Sequence, residues 1–167
     1  SAVQWGHELV AKADRTARYA AERMARQLGS ALQVELIVNE TPSGLIDVTR
    51  PRNHRRLLSK LVRTLPRRER DQLVEQVHDG YRQRVRSAVG TLLAAHGYAI
   101  HLSVRSFNSR SRGKPRRADV SLHYDPSRAG EVAFCLDWID EMWHRAPMLR
   151  VRRNYPRRGA GESLTGQ

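Results

Sequence analysis

The stretch formed by residues 98–128 constrains the fold of this 167-residue chain most strongly. Apolar and polar residues alternate from Ile100 to Arg105, which predicts a strand with one buried and one polar face. Residues 109–117 combine a glycine and a proline with five basic residues and predict a surface loop. The apolar residues of 120–124 predict a second strand, which ends at a turn and helix-start signal in 125–126. Because function most often lies at strand ends and in loops, these segments are the first candidates for a functional site.

Apolar residues at helical spacing predict four helices around these strands. The predicted helices are residues 7–28, 54–65, 66–97 and 128–145, and further short strands are predicted at residues 32–38, 45–48 and 148–151. Gly29 and Gly97 are expected to end the first and third helices, and Pro66 to begin the third. Strands that alternate with helices predict an α/β fold, a three-layer sandwich with a mostly parallel sheet, in one domain over residues 1–167.

The charge of the chain favours an anionic partner. The net charge is +13, and 27 of the 30 basic residues are arginine, a side chain that suits carboxylate and phosphate. A codon bias toward arginine explains the same excess equally well. Nucleic acid is disfavoured as the partner, because the arginines are dispersed, aromatic residues make up only 6% and no recognised module is present. The sequence shows no apolar run long enough for a bilayer and no signal peptide, which predicts no membrane partner and a cytoplasmic location.

Polar residues at the predicted strand ends outline a candidate cleft, since parallel sheets bind ligands at the carboxyl ends of their strands. Three of the four ends, in residues 47–50, 105–108 and 152–154, carry arginine, so the cleft is expected to receive an anion. His101 and His123 lie on predicted strands where both could face this cleft, although a lone strand histidine more often has a structural role. Single Cys135 excludes an internal disulfide and a multi-cysteine metal site, and its helical apolar surroundings predict a buried thiol.

Four segments carry a more specific signal because they occur in a fixed order. These are DVTR at 47–50, HLSVRSF at 101–107, RADVSLHYDP at 117–126 and RRNYPRRG at 152–159. They resemble the D-x-N-R, H-x-S-x-H-S-F, R-x-A-D-[IV]-G-L-x-Y-D-P and R-R-N-Y-P-Y-x-G motifs of the N-formylglutamate amidohydrolase family. Residues 78–82 fall where that family carries Y-x-P-Y-R, and Asp14 falls where an aspartate opens a helix. The resemblance covers residues 14–165, nearly the whole chain.

The resemblance implies a phosphorylase/hydrolase-like fold related to zinc carboxypeptidases, and hydrolysis of the amide of an N-acyl amino acid. In such an enzyme a metal polarises the scissile carbonyl and activates water, and a carboxylate acts as general base. Arginines would hold the carboxylates of a small anionic substrate by bidentate contacts. On matching positions the resemblance implies substrate contacts from Arg50, Arg117, Arg153 and Asn154, with Arg50 the first choice for a carboxylate clamp. Arg105, the arginine at a predicted strand end, is a further substrate-binding candidate.

The chain also departs from the family pattern at the metal. Arg105 stands where the family strand ends in a metal-ligating histidine, and a guanidinium cannot ligate zinc. The family's first strand, with its metal-binding E-H segment, and its last strand, with a glutamate suited to general base work, are expected to be absent. Zinc, the family cofactor, therefore has no complete site, and His101 and His123 are the remaining candidates. The sequence leaves two interpretations: an amidohydrolase-like protein with an incomplete metal site, or a non-catalytic module with an arginine-lined cleft for acidic small molecules or peptides.

Overall fold

The computed structural model describes residues 19–111 and 113–155. The chain divides after Ser106 into two compact units, the first ending at Ser106 and the second beginning at Phe107. The described residues mix helices with short strands and include a small parallel sheet. No helix among the described residues is long and apolar enough to cross a membrane.

The first unit is mainly helical. Residues 19–32 form helix α1, which continues past Gly29, and residues 34–40 carry no regular secondary structure. The later helical segments are α2 at Lys60–Arg63, α3 at Arg67–Leu73, a π-helical turn at Val74–Asp79 and α4 at Gly80–His96. Pro66 is the residue before α3 rather than its first residue. Gly97 ends α4 as predicted, with a left-handed φ of 75° that favours glycine.

The core of the first unit joins the turn region before α2 to the long helical region after it. The buried residues Ile46, Leu57 and Val74 form one apolar cluster, and the partly buried Leu58, Leu73 and Val77 pack against it. Ile46 pairs with Leu58 in an isolated antiparallel bridge, and the Asp47 N–H donates to the Leu57 carbonyl at 2.9 Å. These contacts hold the polar residues that follow Ile46 beside the helical region.

The second unit contains a helical crossover between two parallel strands. β3 (Val120–Leu122) lies parallel to β4 (Val151–Arg153), in a register that pairs Val120 with Val151. Helix α5 (Ala129–Arg145) connects them, and it buries Cys135 and Ile139. Parallel neighbours need such a crossover, so this segment is the α/β element that the sequence predicts. Before it, β1 (Arg110–Ser111) and β2 (Lys114–Pro115) form a short antiparallel hairpin around Gly113.

Several predicted elements were wrong or displaced. Of the predicted strand 32–38, residue 32 ends α1 and residues 34–38 have no regular secondary structure. The predicted strand 100–105 has none either, and only Ile46 of 45–48 takes part in a bridge. The predicted helix 54–65 is reduced to α2, and the last strand lies at Val151–Arg153 instead of 148–151. Residues 7–18 of the first predicted helix lie outside the described residues. Alternating residues define the two faces of a strand, but they do not supply the partner with which a strand forms hydrogen bonds. Ile100 is accordingly 58% exposed, where the pattern predicted burial.

The prediction of one domain that lacks the family's first and last strands stays a prediction. The two compact units describe how contacts are distributed within the chain.

Candidate functional site

A turn at Asp47 brings together two arginines that the sequence assigned to substrate binding. Asp47 Oδ1 accepts hydrogen bonds from the Thr49 hydroxyl at 2.6 Å and from the Thr49 backbone N–H at 3.2 Å. This is a local aspartate turn, and it leaves Oδ2 to accept from Arg50 Nε at 3.0 Å. Arg105 Nη2 lies 4.0 Å from Asp47 Oδ1. One carboxylate is therefore flanked by two guanidinium groups.

The two arginines keep donors available for a ligand. Arg50 uses Nε on Asp47 and has Nη1 at 3.1 Å from His54 Nε2, while its Nη2 has no hydrogen-bond partner among the described residues. The Arg105 side chain is 57% exposed, and its contact with Asp47 is long. A small carboxylate could therefore accept hydrogen bonds from both side chains.

The backbone of Arg50 is held by two buried basic side chains from the helical region. The Arg50 carbonyl accepts hydrogen bonds from His78 Nε2 at 2.9 Å and from Arg82 Nη1 at 3.1 Å. His78 is 2% exposed and Arg82 is 4% exposed. His78 lies in the π-helical turn and Arg82 lies one turn later in α4, so their side chains share one helix face. We call this arrangement the carbonyl clamp.

Burial and the neighbouring arginines disfavour the charged form of His78, whereas the adjacent Asp79 carboxylate favours that form. Burial lowers the pKa of His78, the hydrogen bond to the Arg50 carbonyl acts in the opposite direction, and the charges of Arg82, Arg52 and Arg86 lower it further. The neutral imidazole has one N–H, which the clamp places on Nε2. His78 Nδ1 lies 2.7 Å from Asp79 Oδ1, so a second proton is required for a hydrogen bond at that contact. Asp79 also forms an ion pair with Arg52.

Tyr81 is a further half-buried polar group on the same helix. Burial raises the pKa of its phenol, and the positive charges of Arg84 and then Arg105 oppose that shift. The phenol is therefore neutral near pH 7 and can serve as a hydrogen-bond donor in the first unit.

In the second unit, Asn154 supports the end of the parallel strand pair. Its backbone N–H donates to the Leu122 carbonyl at 2.8 Å, and its Oδ1 accepts from the Tyr124 N–H at 3.0 Å. Asn154 adopts a left-handed φ of 49°, a conformation that asparagine tolerates better than most residues. Arg117 and Arg153 are exposed, and the Arg117 carbonyl accepts from Arg152 Nε at 3.2 Å.

The family model of N-formylglutamate amidohydrolase matches residues 7–165. The chain belongs to the N-formylglutamate amidohydrolase family. A search of curated proteins and a search of solved structures each gave no match. The family predicted from four ordered segments is thus confirmed, and with it a family substrate that is a small anionic acylamino acid.

The N-formylglutamate amidohydrolase family is metal-dependent. Among residues 19–111 and 113–155, no group of three or more His, Cys, Asp or Glu side chains is placed to hold a metal ion. His101 is half-buried in the first unit, and burial lowers its pKa. His123 is exposed in the second unit, where its Nε2 lies 3.3 Å from the Ser121 hydroxyl. The described side chains therefore do not supply the ligand set that zinc requires.

The five residues assigned to the substrate divide between the two units. Arg50 and Arg105 meet at Asp47 in the first unit, whereas Arg117, Arg153 and Asn154 belong to the second. Sequence reasoning missed the carbonyl clamp of His78 and Arg82. The only available signal was their position in the segment that aligns with the family's Y-x-P-Y-R motif.

Proposed function

We propose that this chain binds a small anionic N-acylamino acid of the N-formylglutamate type through the guanidinium groups of Arg50 and Arg105. The observation that supports this most directly is the convergence of both side chains on Asp47, with donors still available on each. Asp47 orients Arg50 through Nε, so Nη2 can donate to a ligand carboxylate without breaking that contact. For the second unit by itself, we propose that Arg117, Arg153 and Asn154 are anion contacts, since Arg117 and Arg153 are exposed.

Hydrolysis of the amide bond is the activity that family membership suggests for the bound ligand. That reaction is metal-dependent in the family, and the described residues supply no matching ligand set. Carboxylate recognition is therefore the part of the function that these residues support. We also propose, from the family, that β3 and β4 belong to the mostly parallel sheet of a three-layer phosphorylase/hydrolase-like sandwich.

Isothermal titration calorimetry with N-formyl-L-glutamate tests carboxylate recognition. Replacing Arg50 or Arg105 by glutamine removes a charge-assisted contact worth about 1.5–3 kcal/mol, which corresponds to a rise in Kd of about 10- to 150-fold. Arg67→Gln is the matched control, since Arg67 is exposed and its side chain pairs with Asp71 on α3, away from Asp47 in the sequence. Wild-type affinity in both Arg50→Gln and Arg105→Gln would refute the proposal.

A second candidate function is a non-catalytic module that binds acidic small molecules or peptides. It is favoured by Arg105, a cation in the slot of the family's metal-ligating histidine, which lies beside a carboxylate instead of ligating zinc. Mass spectrometry after zinc loading, together with an assay for formate release, separates the two candidates. One bound zinc ion per chain with formate release supports the amidohydrolase, whereas ligand binding without either supports the module.

A further inference from the structure

We propose that His78 and Arg82 are positioning residues, which hold the backbone of Arg50 so that its guanidinium is presented to a carboxylate ligand. This inference rests on the proposed binding role of Arg50. It adds two residues that make no contact with the ligand themselves and act through the peptide group that carries Arg50.

The first support is the shared acceptor. Two donors from successive turns of one helical region, at 2.9 Å and 3.1 Å, reach the same carbonyl oxygen 28 and 32 residues earlier in the sequence. A carbonyl oxygen has two lone pairs, so the clamp satisfies both. The peptide plane after Arg50 therefore has no freedom to rotate without losing both hydrogen bonds.

The second support is burial. His78 and Arg82 are the two buried polar or charged side chains of the described residues. A buried donor that loses its acceptor carries the full cost of desolvation, which for a charged group exceeds that for a neutral one. The two side chains thus keep the Arg50 carbonyl in place more firmly than an exposed contact would.

The third support is the local chain on either side of the clamp. The Arg50 N–H donates to the Asp47 carbonyl at 3.0 Å, which closes the turn before the clamp. Pro51 follows, and a proline restricts both its own φ and the conformation of the residue before it. Beyond Pro51, Arg52 pairs with Asp79 of the π-helical turn. Residues 50–52 are consequently tied to the same helical region on both sides of the proline.

The cost of burying two basic side chains indicates that the carbonyl clamp does more than stabilise the fold. Arg82 is buried close to Arg86, and burial followed by the Arg86 charge lowers its pKa. Buried charged groups replaced by apolar side chains of similar volume often leave stability unchanged or increased. Burying two basic groups carries a desolvation cost that stability of the loop alone does not require. The clamp does, however, fix the orientation of the Arg50 backbone. π-helical turns are frequent at functional sites, and here the turn carries His78.

The test compares variants that remove a donor with variants that retain one. His78→Leu and Arg82→Met remove the donors, whereas His78→Gln and Arg82→Lys retain an N–H in the same region. Calorimetry with N-formyl-L-glutamate is expected to show a Kd about tenfold higher for the first pair, and within about threefold of wild type for the second. Circular dichroism and urea unfolding identify the variants that are folded at the assay temperature.

A double-mutant cycle separates positioning from a general loss of structure. If Arg82 acts through Arg50, Arg82→Met is expected to raise Kd in the wild-type background but to change it less than twofold when Arg50→Gln is already present. Equal effects in both backgrounds would overturn the positioning role. If Arg82→Met or His78→Leu does not fold, Arg82→Lys and His78→Gln replace them in the same cycle. Their smaller effects on Kd should also disappear when Arg50→Gln is already present.

The outcomes also distinguish this inference from the proposed function. Wild-type affinity in Arg50→Gln and Arg105→Gln refutes carboxylate recognition by these arginines. Reduced affinity in Arg50→Gln together with wild-type affinity in folded Arg82→Met and His78→Leu leaves recognition intact and refutes the positioning role.

Discussion

Replacing Ile46 by alanine should be one of the most destabilising single changes in the first unit. Ile46 is 0% exposed and lies in the cluster that packs the turn before Asp47 against the helical region. Three buried carbon atoms are lost, at about 0.8 kcal/mol each, which gives about 2.4 kcal/mol. The cavity left behind brings the expected loss in free energy of unfolding to about 3–4 kcal/mol. Ile46→Val removes one carbon and should cost about 1 kcal/mol.

Ile100→Ala is a matched control because it deletes the same atoms in the same unit. Ile100 is 58% exposed, so less than half of the transfer free energy applies and the expected cost is about 1 kcal/mol or less. Urea unfolding followed by far-ultraviolet circular dichroism measures all three variants against the wild type. The comparison also requires similar m-values, since a change in m indicates a change in the denatured or native state.

The result that would refute this reasoning is an equal loss of stability in Ile46→Ala and Ile100→Ala. Equal losses would mean that Ile100 is buried and that residues 100–105 bury one face, as the alternating sequence predicted. A cost below about 1 kcal/mol for Ile46→Ala would instead show that the core cluster does not hold this turn, since buried isoleucine truncations cost about 2–5 kcal/mol.

Three further predictions concern titratable groups. Hydrogen bonds from Arg150 hold the pKa of Asp119 at about 2, so Arg150→Met should raise it toward 3.8 in a carbon-detected NMR titration. Burial, with Glu131 nearby, raises the pKa of the Cys135 thiol, and iodoacetamide should modify it slowly at pH 8 until urea unfolds the chain. The pKa values of His78 and His101 are lowered in the folded state, so the unfolded chain binds protons more readily. Stability should therefore be full above pH 6.5 and fall as the pH drops below that value, and His78→Gln should reduce this dependence in urea unfolding measured from pH 5 to 8.

Helical segments with dense apolar spacing were predictable from the sequence. The long helical region after Pro66 and helix α5 formed where the pattern placed them, since each pattern spans several turns and is bounded by a proline, a glycine or a turn signal. The π-helical turn within the first of these regions was not predictable, because apolar spacing does not distinguish one inserted residue in a long helix. It nevertheless determines where His78 lies.

Strand predictions were less reliable because a strand depends on a partner elsewhere in the chain. Val120–Leu122 is a strand since β4 pairs with it after the α5 crossover. Residues 100–105 have a more regular alternation but no paired strand among the described residues. The residues of this segment match a family motif, but their alternation does not specify the hydrogen-bonded partner that a strand requires.

In the candidate site, the side chains could be predicted from sequence motifs, but the backbone contacts could not. The D-x-N-R resemblance pointed to Arg50, and the motif around Arg105 pointed to a cation where the family has a metal ligand. The structure adds that both cations face Asp47. The carbonyl clamp could not be inferred, because its acceptor is a main-chain oxygen that every residue carries and that no sequence motif marks.

Arg105 lies beside Asp47, at the position where the family motif has a metal-ligating histidine. A neutral histidine at this position could ligate a metal ion. Arg105 supplies a permanent positive charge of its own, 4.0 Å from the same carboxylate. A second cation would be repelled at such a position, whereas an anion would meet two guanidinium groups beside the Asp47 carboxylate. We therefore expect this position to favour a carboxylate over a metal ion, in keeping with the arginine pair proposed for ligand recognition.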